Sequence, residues 1–190
     1  DVGMYMVPTR VVQHIYDGIK TAYRSISNEA LNTGTAVHKW IEDAIRWKME
    51  EGDAPGLPDD EAALNCIEAF RAWAKENEVK WLAIEQKVYS KKYNYAGTVD
   101  AVAEVNGELT VIDFKTSAKI YKQYHLQVAA YAQAITEMYG RDVEKGLILR
   151  LDKDSGKYQT KTFEPLEHVR VFLSCMELRE WSSKRIKNLK

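Results

Sequence analysis

The stretch GTVDAVAEVNGELTVIDFK, residues 97–115, decides how the rest of the chain is read. Asn106-Gly107 near its middle is the strongest short-range signal for a tight hairpin turn. The flanks therefore read as two antiparallel strands, over about 96–105 and 109–117. Into them the sequence sets three charges, Asp100, Asp113 and Lys115. A charge inside a sheet is costly unless it is paired or bound to a metal. Residues two apart on a strand share a face. Asp113, Lys115 and Val111 therefore project together, with Ile112 and Phe114 on the opposite side. A helix over the Ile112/Phe114 face would leave the Asp113/Lys115 face as a cleft. Counting back from the turn brings Asp100 close to Asp113 across the ladder, within a residue or two of register.

Two carboxylates this close repel unless a cation sits between them. A hard divalent ion such as Mg²⁺ takes oxygen ligands, often one or two carboxylates plus waters and a substrate phosphate. Lysine is a point charge that holds a phosphate or orients a water. The trio suits metal-assisted hydrolysis of a phosphodiester. The plain alternative is a solvated strand with alternating charges, and spacing alone does not decide between the two.

Around this hairpin the periodicity predicts an α/β sandwich. A helix over 11–23 is followed by one from about residue 35 to Gly52, with Val37, Ile41, Ala44, Ile45 and Met49 on its apolar face. The breaker-rich loop DAPGLPDD, 53–60, separates it from a helix capped by Asp59 or Asp60, with Leu64, Ile67, Phe70 or Ala69, and Ala74 inward. Residues 81–89 alternate as a strand and 91–95 form a turn, so three strands make an antiparallel meander. A long helix, 120–140, ends at Gly140. Strands over 143–152 and 157–164 follow, and a last helix opens at Glu164-Pro165 and runs to about residue 187. The expected fold is a mixed sheet of about five strands flanked by helices, one domain over 1–190 with a helical part, 1–78, before a core, 79–190.

The bulk numbers exclude several classes. The chain has 190 residues, 45% hydrophobic and 29% charged, with a net charge of −1. It is long enough to bury a proper core. It is not globally basic, so nucleic-acid binding would need a local basic groove. No apolar run reaches membrane-spanning length, and no signal-peptide pattern is visible. Two cysteines, Cys66 and Cys175, suit a reducing compartment and read as buried small hydrophobes. They cannot supply the four thiolates of an ordinary iron–sulfur cluster.

Further residues join the hairpin charges. GTAVH (34–38) places His38 near a helix start, and QVAAY (127–131) puts Gln127 and Tyr131 one helical turn apart. GTAVH, GTVD (97–100), DFK (113–115) and QVAAY, in this order, resemble the motifs of the PD-(D/E)XK nuclease superfamily in its RecB-like branch. The resemblance runs over about 33–139. It implies a restriction-endonuclease-like core. It implies that Asp100, Asp113, His38 and the backbone carbonyl of Phe114 bind Mg²⁺ or Mn²⁺, with Glu85 matching a glutamate common on the family's first core strand. It further implies that Lys115 positions the attacking water and steadies the scissile phosphate, and that Gln127 and Tyr131 hold the lysine or the DNA backbone. Many RecB-like nucleases carry a four-cysteine iron–sulfur cluster; this chain resembles the cluster-free subset, which includes mitochondrial and phage exonucleases.

The implied activity is metal-dependent DNA exonucleolysis on single strands or ends, in recombination, repair or replication. An endonuclease of structure-specific or restriction type, and a catalytically silent DNA-binding subunit, share the same core. No P-loop motif is present, so unwinding would come from a helicase or recombination partner. The expected setting is intracellular: bacterial or phage-infected cytoplasm, or the mitochondrial matrix. Phosphates need cations. They are concentrated at 91–95, with Lys92 and Tyr93, at 117–125, with Lys119 and Lys122, and at 182–190. The second follows the D-x-K strand directly and is the stronger candidate for DNA contact. Aromatics among cations suit single strands, whose bases stack on rings.

Overall fold

The chain is described by a computed structural model over residues 31–183. Asn106 (φ 52°) and Gly107 (φ 88°) both take the left-handed conformation that a two-residue hairpin turn requires. They join β2 (Tyr95–Val105) to β3 (Glu108–Lys115) in antiparallel register, from Val105↔Glu108 to Ala101↔Ile112. β1 (Val79–Ser90) pairs antiparallel with β2, with a register shift between Trp81 and Ala83. A parallel neighbour needs a crossover. Helix α3 (Gln123–Tyr139) supplies it, bringing β4 (Lys145–Leu151) alongside β3. β5 (Tyr158–Phe163) closes a five-stranded mixed sheet in sequential order, β1-β2-β3-β4-β5.

Helix α1, helical over the described residues 31–48, and α2 (Glu61–Glu76) cover one face of the sheet. Asp60 caps α2 by accepting from the Ala62 N–H at 3.1 Å. Its other oxygen accepts from Thr33 Oγ1 at 2.8 Å, which ties the two helices together. Val37, Ile41 and Ile45 of α1 and Ile67, Phe70 and Trp73 of α2 pack on Ile112, Phe114 and Leu149. Each such side chain contributes roughly 1.5–3 kcal/mol when fully buried. The opposite face carries α3, whose Val128, Ala132 and Ile135 pack on Val99, Val111 and Ile148.

The architecture is the expected one, and several details differ from the periodicity. The buried face of α2 is Ala63, Cys66, Ile67, Ala69, Phe70 and Trp73, so the stripe is rotated away from Leu64 and Ala74. The large Trp73 ring settles this by filling the space against Phe70 and Trp81. Cys66 is buried as expected; Cys175 is exposed. β3 stops at Lys115 and α3 begins only at Gln123, because 116–122 is held by other bonds. Arg150 Nε donates to the Ser117 carbonyl at 2.7 Å, and Ser117 Oγ donates to the Lys119 carbonyl at 2.9 Å. After Glu164 the chain makes a 3₁₀ turn (Pro165–His168) before α4 (Val169–Ser183). Proline tolerates such a first turn because its φ is preset. The expected helix over 11–23 and the basic residues beyond 183 lie outside the described residues. Most consequential, α3 covers the Asp113 face, so Asp113 is buried beneath a helix and not set in an open cleft.

Gly146 shows how tightly the α3 face is packed. A Cβ there would lie 2.8 Å from both Phe163 Cζ and Val128 Cγ1. Gly146→Ala is expected to lower stability by about 1–3 kcal/mol, as overpacking does. Urea unfolding of the two chains side by side checks it.

Candidate active site

The ladder between β2 and β3 ends at Ala101↔Ile112, while β3 continues against β4 as far as Lys115↔Arg150. The strands part there like a fork. The Phe114 N–H lies beyond the last β2 pair and donates to Asp100 Oδ2 at 2.8 Å. A side-chain carboxylate thus takes the place of the missing ladder bond, as buried backbone groups require.

On the other side of β2, pairing with β1 steps from Ile84↔Ala101 to Gln86↔Val99. Glu85 falls between these pairs with φ 47°, in the left-handed region. For a glutamate inside a strand this conformation costs on the order of 1–3 kcal/mol, and such outliers cluster at functional sites. It leaves Glu85, Asp100 and His38 with one ligand atom each, all within 4.8 Å of one another. His38 reaches in from α1, its Nδ1 3.7 Å from Asp100 Oδ2 and its ring edge-on to Phe114. Burial holds the His38 pKa below its ordinary value, and the Lys115 charge adds to this; Asp113, Glu85 and a hydrogen bond with the Phe114 backbone oppose it. The imidazole is therefore neutral at pH 7, which is the form that ligates metals.

Deeper in the fork lies a second connected set. Asp113 has no exposed surface. Its Oδ1 accepts from Lys115 Nζ at 2.7 Å, whereas Oδ2 is buried without a hydrogen-bond partner. Lys115 Nζ also donates to Gln127 Oε1 at 3.2 Å, and Gln127 Nε2 donates to the Tyr131 hydroxyl at 3.0 Å. Tyr131 fits only because residue 97 is glycine: a Cβ there would lie 2.7 Å from its Cε1. The carboxyls of Asp113 and Asp100 are both pushed upward, chiefly by burial. Lys115 pulls each back down in part, and so does the Phe114 N–H for Asp100.

The site residues expected from sequence thus form two groups: His38, Glu85 and Asp100, then Asp113, Lys115, Gln127 and Tyr131. Glu85 stands in the first group with a carboxylate and an imidazole. Lys119 and Lys122 are exposed on the 116–122 segment that leads away from Lys115. Lys92 and Tyr93 stand apart, on the β1–β2 turn. That turn is pinned to α3 by Glu137, which accepts from Ser90 Oγ at 2.7 Å and from the Lys92 N–H at 3.4 Å. β2 begins five positions before Asp100, roughly 17 Å at the strand rise.

Two contributors escaped the sequence motifs. The Tyr124 ring lies 4.8 Å from Lys115 Nζ. It is three positions before Gln127 on α3, so helical spacing alone could have found it. Arg150, opposite Lys115 on β4, anchors the segment after Lys115 while also pairing with Asp152 at 2.7 Å. Nothing local in the sequence marks it.

An open groove of about 550 Å³ lies against His38 and Glu85, bordered also by Gly34, Lys39 and Thr116. A neutral imidazole, clustered carboxylates and an orphaned buried oxygen fit a divalent cation that takes nitrogen and oxygen donors. Among the described residues, no helix is long and apolar enough to cross a membrane.

Residues 66–190 match the sequence profile of the PD-(D/E)XK nuclease superfamily. Mitochondrial genome maintenance exonuclease 1 of Mus musculus is 41% identical over 80 residues, covering 38% of this chain and 24% of that protein. Its Homo sapiens counterpart is also 41% identical over 80 residues, covering 38% and 23%. The match therefore spans about a quarter of the length of these relatives. The crystal structure of SSO0001 superposes with a TM-score of 0.41 at 14% identity, over 93% of this chain and 73% of that one.

Two outcomes are expected from the site's electrostatics. In EDTA, the raised carboxyl pKa values mean that the folded chain holds protons that the unfolded chain has already released. Stability should therefore rise as pH falls from neutral toward about 5, and Asp113→Asn should flatten that slope. Urea unfolding at stepped pH reads this directly. Separately, Mn²⁺ at about 100 times its Kd should stabilise the chain by about 2.7 kcal/mol. Glu85→Gln and His38→Ala should shrink that gain; equal gains in both variants would remove these residues from the metal set.

Proposed function

From the chain's membership of the PD-(D/E)XK nuclease superfamily, we propose that it is a DNA exonuclease, dependent on Mg²⁺ or Mn²⁺, acting on single strands or ends. The observation that carries this reading is the state of Asp113. One oxygen holds the Lys115 ammonium, and the other is buried and unpartnered; the N–H of the next residue, Phe114, is bonded by Asp100 of the His38–Glu85–Asp100 cluster. A stable fold gains nothing from an orphaned buried carboxylate oxygen. A site that takes up a cation does.

In this reading His38, Asp100, Asp113 and the Phe114 carbonyl hold the cation, with Glu85 joining them. When bound, the cation supplies Lewis-acid polarisation of the scissile phosphate and offsets its developing charge. Lys115 donates toward the attacking water, and its charge steadies the scissile phosphate, where a preorganised cation lowers a barrier most. Asp113 and Gln127 accept two of its three protons and aim the third. Tyr131 fixes Gln127 through its hydroxyl, so both act on the lysine. Lys119 and Lys122 meet the backbone phosphates next to the site, and Lys92 and Tyr93 meet a longer strand further out. The chain would act inside the cell in recombination, repair or replication, with a helicase partner where duplex must be opened.

The test is cleavage of end-labelled linear single-stranded DNA beside a closed circle, in Mg²⁺, Mn²⁺ and EDTA, by this chain and by Lys115→Ala. Loss of the linear strand with metal, survival of the circle and at least about 100-fold slower cleavage by the variant are expected. Cutting of the circle would replace the exonuclease with an endonuclease. Binding without cleavage in any metal would mark a silent subunit.

A further inference from the structure

Resting on the nuclease reading, we infer that Tyr121 is a stacking platform for one unpaired nucleobase next to Lys115, with Lys119 as its phosphate partner. The inference comes from a line of alternating cations and rings. Lys119 Nζ lies 5.3 Å from the centre of the Tyr121 ring. Tyr121 meets Tyr124 edge-to-face at 5.6 Å. Tyr124 in turn lies under the Lys115 ammonium at 4.8 Å. The line runs from an exposed lysine through a half-buried ring to the most strongly tethered cation of the site.

Its two ends differ in a way that matters. Lys115 is fixed by Asp113 and Gln127. Among the described residues, the Lys119 ammonium rests against the ring face itself. An exposed cation–ring contact is weak. A base stacking on the same ring face gains more, and the displaced ammonium is freed to meet the phosphate beside that base. The segment is prepared for this exchange. Arg150 holds the Ser117 carbonyl and Ser117 holds the Lys119 carbonyl, so the ring is presented on a fixed backbone. Preorganisation of this kind removes an ordering penalty from binding. Tyr124 packs against the α3 core and serves as the inner support of the platform.

The experiment is fluorescence anisotropy in EDTA, so that binding is read without cleavage. The probes are an oligothymidylate, an abasic oligomer of equal length, and a duplex. Tyr121→Ala is expected to bind oligothymidylate about tenfold or more weakly than the parent, and Tyr121→Phe to match it. The abasic oligomer and the duplex, which offer no free base, should bind both variants as they bind the parent. An unchanged oligothymidylate affinity in Tyr121→Ala, an equal loss on the abasic oligomer, or a parent that binds none of the probes overturns the inference. Cleavage of oligothymidylate by the parent with Mn²⁺ is followed in parallel. Cleavage without a Tyr121 effect sinks the platform alone. A Tyr121 effect without cleavage sinks the nuclease reading and leaves the platform.

Discussion

A carboxylate buried between a sheet and a helix is the constraint on which the rest of the site depends. Asp113 has no exposed surface, yet only one of its oxygens is bonded, to Lys115. In a medium of low polarity an ionised carboxylate must be neutralised or held by positive charge. Lys115 does part of this, and the upward push on the Asp113 carboxyl shows that the compensation is incomplete. The surrounding apolar layers supply the stability that tolerates it. Ile148 is fully buried opposite it on β4, and Phe114 and Leu149 are fully buried on the other face of the sheet. They pack the strand on both faces, and the Lys115 bond holds the carboxylate in place.

The fork between β2 and β3 arranges the remaining groups around that constraint. Where the ladder stops, a backbone N–H is left over, and Asp100 accepts it. That bond fixes Asp100 beside Phe114. It also brings the Asp100 carboxylate within reach of His38 from the helix layer and Glu85 from the neighbouring strand. The strained Glu85 backbone belongs to the same geometry, since a regular strand would continue the β1–β2 ladder through that position. Stability given up locally at a polar cluster, inside an otherwise consistent fold, is the pattern expected where function overrides local preference.

Much of this is legible in the sequence. The Asn106-Gly107 turn set the β2–β3 register closely enough to place Asp100 near Asp113. The period-two rule correctly separated Asp113 and Lys115 from Ile112 and Phe114. Spacing on one helix put Gln127 and Tyr131 on one face. Other features were not legible. The α2 stripe was misjudged because Leu64 and Trp73 are both apolar, and only packing against Phe70 and Trp81 chooses between their faces. Cys175 was expected inside and lies outside, because hydrophobicity does not say which turn of a peripheral helix meets the core. The covering of the Asp113 face by α3 was missed for the same reason.

By itself, then, the sequence determined the elements, their order, the hairpin register and the kinds of chemistry available at each motif. These follow from interactions between residues a few positions apart, which period and turn residues record. Only the tertiary structure decided which donors meet. It put Glu85 with His38 and Asp100, left one Asp113 oxygen without a partner, and set Tyr124 and Arg150 beside Lys115 and the segment after it. Those contacts depend on how the helix layers dock and where the ladder breaks. They join residues whose separation along the chain carries no local signal.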